Sequence, residues 1–170
     1  SLRRRQRQMC IRDRHSMTAK KIIIGCDNAG IVLKPAIVSV IRELDLPFED
    51  LGVMSADDGT YYPLVAQKVC LSILRSEEPA QGILLCGTGI GMAMTANKFP
   101  GIFAAVCHDI YSAERARLSN DANLLCMGAR VIGPELAKMI AREWLSLTFQ
   151  DGSSTPKVAA MHEIDRVNRR

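Results

Sequence analysis

Cys86-Gly87-Thr88-Gly89-Ile90-Gly91 sets a thiol and a hydroxyl among glycines, directly behind the apolar run Gly82-Ile83-Leu84-Leu85. A short buried strand there ends in sulfur, and a glycine-rich turn opens a helix through Met92, Ala93, Met94 and Ala96. Backbone N–H groups converge at such a turn, and the helix dipole adds partial positive charge. The same field favours a thiolate. A basic or nucleophilic sulfur beside an anion cradle suits chemistry in which negative charge develops. The same residues also suit a plain strand-to-helix turn with an inert, buried thiol, and the motif by itself leaves both open.

From Lys20 onward, short β-branched runs alternate with helical patterns. Lys21–Cys26 reads as a buried strand, followed by a helix over about Val32–Leu44 with Ile37, Val38, Ile41 and Leu44 on one face. Phe48–Leu51 is a second strand, and Tyr61-Tyr62-Pro63 leads into a helix reaching about Leu74. Gly82–Leu85, Ile102–Cys107 and Asn123–Met127 read as three more strands, with helices near Gly91–Lys98, Tyr111–Leu118 and Pro134–Leu147. Pro63 and Pro134 both suit first-turn positions.

Strands that are continuously apolar imply a sheet covered on both faces. Repeated β–α units then predict a doubly wound, five-stranded parallel sheet, a Rossmann-like three-layer α/β/α sandwich. Ligands in that architecture bind beyond the carboxyl ends of the strands. Asp27, Cys86, Thr88, His108 and Asp109 all fall at such ends, which favours the functional reading of the glycine turn. From Ser153 the chain is polar, then helix-like through Val158, Met161 and Ile164, and suits packing on a partner subunit.

The chain has 170 residues, enough for one domain with a substantial core, and its 48% hydrophobic and 24% charged residues are those of an ordinary globular protein. The net charge of +4 invites a nucleic-acid partner, but residues 1–16 hold six arginines against one acid, leaving the rest at −1. No basic face remains there for nucleic acid. The run Gln8-Met9-Cys10-Ile11-Arg12-Asp13-Arg14 back-translates to a string resembling the transposon end used in sequencing-library adapters. Residues 1–16 are therefore read as a non-native leader with Met17 as the start, residues 17–152 as the domain, and 153–170 as its tail. The leader lacks an apolar core, and no later run approaches membrane-spanning length. Cysteines 10, 26, 70, 86, 107 and 126 form no CxxC pair and no metal-ligand spacing with the histidines, which points to a reduced cytoplasm and no metal.

The chain resembles the type B ribose-5-phosphate isomerases and the related galactose-6-phosphate isomerase subunits. The matching pieces are GCDNAG (Gly25–Gly30) with Leu33-Lys34, Tyr62-Pro63, GILLCGTGIGMAMTANK (Gly82–Lys98) and Tyr111-Ser112-Ala113. NDANLL (Asn120–Leu125), GARVIG (Gly128–Gly133) and ELAKMI (Glu135–Ile140) continue them, so the resemblance spans about Lys20 to Asp165. It implies interconversion of aldose and ketose phosphates through an enediolate, without a cofactor, in a homodimer or a tetramer of paired dimers. It also implies that Cys86 is the base, because Met92 stands where other members carry a glutamate. Thr88 would relay the proton between O1 and O2, and the amides of Gly87, Thr88, Gly89, Ile90 and Gly91 would hold the enediolate. Asp27 would bond the sugar hydroxyls, Asn97 and Asn120 would steady the oxygens, and Asn28 and Tyr62 would complete the substrate pocket. Arg130 would meet the phosphate, and Lys157 replaces an arginine that reaches the phosphate of the neighbouring subunit. Plainer roles exist beside these: helix caps for Asp27 and Asn120, a surface ion pair for Arg130, solvated charge for Lys157.

Four positions depart from the family pattern. Asn28 and Ser119 stand where histidines are usual, Ser153 replaces an arginine, and Tyr61 replaces an aspartate. The histidine missing at Ser119 is the one that opens a furanose ring. A tetrose 4-phosphate cannot cyclise, since its C4 hydroxyl is esterified and closure at C3 would need a four-membered ring. The chain is therefore suited to an open substrate, unless His108 takes over ring opening; a strand-end histidine facing solvent is the plainer reading. A non-catalytic sugar-phosphate-binding homologue, or a subunit of a mixed oligomer, is the alternative function, and the retained Cys86 argues against it.

Overall fold

The computed structural model describes residues 20–169. The expectations for residues 1–16 and for Cys10 lie outside the described residues. The elements run β1 (Lys21–Cys26), a single 3-10 turn (Ile31–Leu33), α1 (Lys34–Glu43), β2 (Phe48–Asp50), α2 (Tyr62–Arg75) and β3 (Ala80–Cys86). They continue with α3 (Ile90–Ala96), β4 (Ala104–Val106), α4 (Ile110–Leu118), β5 (Leu124–Gly128), α5 (Pro134–Ser146) and α6 (Thr155–Val167).

All five strands are parallel, in the order β2-β1-β3-β5-β4. The expected doubly wound α/β/α sandwich is the one observed. Because β–α–β crossovers are right-handed, each reversal of direction across the sheet sends the next helix to the opposite face. The packing follows this rule: α2 lies against α3, while α5 lies between α1 and α4. The core is the triple run Ile22–Ile24, Ile83–Leu85 and Leu124–Met127 in the three central strands, at most 1% exposed. Such strands face helices on both sides, which is why they read as unbroken apolar runs.

The edge strands are shorter than their apolar patterns suggest. β2 and β4 each hold three residues and are only partly buried. Ile102 and Cys107 are buried but flank β4 instead of extending it. The expected helix from Val32 instead begins as the 3-10 turn, and the α-helix starts at Lys34 with Pro35 in its first turn. No helix among the described residues is long and apolar enough to cross a membrane. No cluster of His, Cys, Asp and Glu among them suits a metal ion.

The reversal between β1 and β3 opens a crevice at the carboxyl ends of the strands. Cys26 pairs with Leu85, and Cys86 with Gly128, so the segments leaving β1, β3 and β5 emerge side by side.

Candidate active site

A cleft of about 500 Å³ lies in that crevice, lined by residues that include Asp27, Asn28, Tyr62, Cys86, Thr88 and Arg130. Gly87, Ile90 and Gly91 also line it. Cys86 ends β3, and its Sγ accepts the N–H of Gly89 at 3.0 Å. This contact requires the chain to double back at once, which it does through Gly89 at φ +77°, in the left-handed region. Thr88 Oγ1 accepts the N–H of Ile90 at 3.2 Å. The amides of Gly87, Thr88 and Gly91 meet no acceptor among the described residues. Three donors without an acceptor therefore lie in the turn that carries the sulfur.

The other described thiols lie away from the cleft. Burial pushes Cys26 and Cys107 up to about 11 and Cys70 up to about 12, and raises Cys126 as well. They are neutral packing groups.

Asp27 is buried, and its Oδ1 accepts the N–H groups of Ala29 and Gly30 at 3.0 and 2.9 Å. It thus closes the turn after β1 and does not cap a helix, and it uses one oxygen to do so. Oδ2 has no donor among the described residues. Asn28 is exposed at the rim, and the Tyr62 ring lies against Gly91. The Arg130 guanidinium lies over Gly87, and its backbone N–H donates to Gly87 O at 2.9 Å. Arg130 makes no ion pair among the described residues, contrary to the plainer reading.

Other expected residues sit elsewhere in the chain. Asn97 donates to Ala104 O and accepts from Ala104 N, at 3.0 and 2.8 Å, fastening α3 to the start of β4. Asn97 and Asn120 share a second cavity of about 480 Å³, walled by β4 and by Met161, Ile164 and Asp165 of α6. Lys157 is exposed on α6 and lines neither cavity. His108 is half-buried and outside the cleft, and its Nε2 accepts the Gly128 N–H at 2.9 Å. Ser119 Oγ accepts from Arg115 Nη1 at 3.1 Å. The tail helix rests on its own chain, with His162 stacked on Phe103 at 4.4 Å and Asp165 accepting the Gly101 N–H.

Lys34 was visible in the sequence only as part of a motif. Its Nζ meets Asp50 Oδ2 at 2.9 Å and also bonds Val53 O, tying the exit of β2 to the helix that follows β1. Both side chains are largely buried. Removing one partner leaves the other charge uncompensated, so Lys34→Met is expected to cost about 3 kcal/mol in urea unfolding. The signal was a lone lysine in an otherwise apolar stretch.

The fold and cleft define a doubly wound α/β protein with a thiol and a glycine turn lining the crevice at its switch point. Residues 22–161 match the family model described as Ribose/Galactose Isomerase, and the chain belongs to that family. It is 49% identical to the ribose-5-P isomerase B of Listeria innocua over 149 residues, 88% of this chain and 99% of that one. It is 48% identical to the D-erythrulose-4-phosphate isomerase of Pectobacterium atrosepticum, over 81% of this chain and 90% of that one. The structure of ribose-5-phosphate isomerase B from Clostridium thermocellum superposes with a TM-score of 0.80 at 38% identity, covering 86% and 98% of the two chains. The family and isomerase class expected from the motifs are those of these relatives.

Proposed function

We propose that this chain is an aldose–ketose isomerase of a phosphorylated sugar, with Cys86 as its base. The observation that carries this reading is the Cys86 sulfur in a turn with three unspent amides, lining the same cleft as Asp27, whose second carboxylate oxygen has no partner among the described residues. Cys86 thiolate takes the proton from C2 of the aldose, leaving a cis-enediolate, and returns it to C1 of the ketose. Thr88 passes the hydroxyl proton between O1 and O2, so no electrons enter or leave. The amides of Gly87, Thr88 and Gly91 face the negative charge as it develops, an electrostatic contribution of about 3 kcal/mol per donor where donors are pre-positioned. Asp27 Oδ2 accepts from a sugar hydroxyl, and Arg130 meets the phosphate with Asn28 at the rim.

The site is completed by a second copy. Asn97, Asn120 and Lys157 lie away from the cleft in their own chain, and a homodimer, alone or paired into a tetramer, brings them to a neighbour's substrate. Exposed Tyr61, Leu64, Ile90 and Met94 near the cleft supply apolar surface for that contact. The five described cysteines are free thiols, in keeping with a cytoplasmic enzyme.

The substrate is an open-chain tetrose 4-phosphate. Ser119 Oγ is a hydrogen-bond partner of Arg115 and offers no titratable group for ring opening. His108 Nε2 is taken up as the acceptor of the Gly128 N–H. A curated relative at 48% identity is named for D-erythrulose 4-phosphate, and another at 36% for 4-deoxy-4-sulfo-D-erythrose. Comparison of kcat/KM for erythrulose 4-phosphate and ribose 5-phosphate tests this choice. A preference of about a hundredfold for the tetrose is expected, the scale of one missing acid–base group. Equal or better use of ribose 5-phosphate would overturn it.

A further inference from the structure

His108 leaves β4 beside the end of β5, and its imidazole is the acceptor for the Gly128 N–H at 2.9 Å. Nε2 must therefore carry no proton, which places the ring's proton on Nδ1. Gly128 is buried, so loss of His108 strands an N–H with little access to water. The residues around Gly128 are fastened to the catalytic loop. Ala129 N donates to Cys86 O and Arg130 N to Gly87 O, both at 2.9 Å. Gly128 itself presses so close to Thr88 that an added Cβ would stand 2.4 Å from Thr88 Cα.

We propose that His108 is a positioning residue for the isomerase reaction: its neutral imidazole, through Gly128, holds the exit of β5 in register and thereby fixes the Cys86-Gly87-Thr88 loop. This rests on the isomerase reading of the cleft. His108 touches no reacting atom and acts through the backbone of Gly128–Arg130. Burial lowers the pKa of the ring below that of a free imidazole, opposed only in part by the neighbouring Asp109 carboxylate. That carboxylate is engaged with Ser112 N and Oγ, both at 2.7 Å. The bond to Gly128 is accordingly complete at neutral pH and is lost as pH falls through the lowered pKa, because an imidazolium cannot accept.

The test compares wild type, His108→Leu and His108→Gln over pH 4.5 to 8.5, with erythrulose 4-phosphate and ribose 5-phosphate as probes. Glutamine places an oxygen near the position of Nε2 and does not titrate. His108→Leu is expected to lose on the order of tenfold in kcat at pH 8, the scale of one stranded buried donor, with KM changed less. His108→Gln is expected to recover most of that loss. As pH falls through the His108 pKa, wild-type kcat should drop by a further factor of about ten relative to the glutamine variant, while the ratio of the two stays constant at higher pH. The Gly128 amide resonance should titrate together with the His108 ring in wild type. Unchanged kcat in His108→Leu, or the same acid limb in His108→Gln, would overturn the proposal. If wild type turns over neither sugar, the isomerase reading fails instead. The positioning claim is then decided by ribose 5-phosphate affinity: about fivefold weaker binding in His108→Leu, restored in His108→Gln, supports the link, and equal affinities refute it.

Discussion

Cys86→Ala is expected to lower kcat by about three orders of magnitude, the upper range for loss of a positioned general base. Sugar-phosphate affinity should change by less than about threefold, since the phosphate and hydroxyl ligands are other residues. The split follows from the geometry. Cys86 is 5% exposed, and its only polar partner among the described residues is the Gly89 N–H, so removing the sulfur frees an amide and leaves Asp27, Thr88 and Arg130 in place. Isothermal titration beside initial-rate kinetics separates the two quantities. A large fall in affinity with kcat preserved would assign Cys86 to binding and not to proton transfer. Cys126 is the internal control. It is fully buried in β5 with its thiol held neutral, so Cys126→Ala should act on stability and spare kcat.

Gly128→Ala is expected to produce the second-largest effect, and by a different route. A Cβ there would meet Thr88 Cα at 2.4 Å, Thr88 C at 2.5 Å and Gly87 O at 2.7 Å, all of them backbone atoms that cannot rotate away. The catalytic loop must shift by about 1 Å to admit it, and a displacement of that size costs about a hundredfold in rate. Overpacking of a closed site also costs about 2 kcal/mol of stability. The measurement is kcat together with the urea midpoint. Gly133→Ala, whose Cβ would meet nothing within 4 Å, should leave both close to wild type. A Gly128→Ala protein with wild-type kcat would mean that the loop tolerates displacement, and the close packing of β5 beneath it would have no catalytic consequence.

Much of this arrangement was legible in the residues. The runs KIIIGC and GILLC are apolar on both sides because helices cover both faces, so they identified β1 and β3 and hence where Asp27 and Cys86 emerge. Pro63 and Pro134 marked helix starts because a first-turn residue needs no N–H partner. The glycines of the CGTG turn announced a change of direction, and the unspent amides followed from it. Contacts between residues distant in the chain were not legible. Nothing in the local sequence ties His108 to Gly128, Asn97 to Ala104, or Lys34 to Asp50. Nor does it show that Arg117 is buried, bonded to Asp121 and placed 5.6 Å from the Trp144 ring centroid. The edge strands also misled, because burial of Ile102 and Cys107 in the core imitates the pattern of strand residues. Asp27 shows that a structural and a binding role need not compete: one oxygen closes the turn, and the other is left for a ligand.

The central claim is that Cys86 moves a carbon-bound proton through an enediolate. The most direct measurement is proton NMR of erythrulose 4-phosphate and ribose 5-phosphate incubated with the enzyme in heavy water. Wild type should interconvert the preferred sugar while deuterium enters at C1 and C2, because a thiol exchanges its proton with solvent between transfers. Cys86→Ala should show neither conversion nor exchange on the same timescale. Conversion with full retention of protium, or exchange at the wild-type rate in Cys86→Ala, would contradict the account.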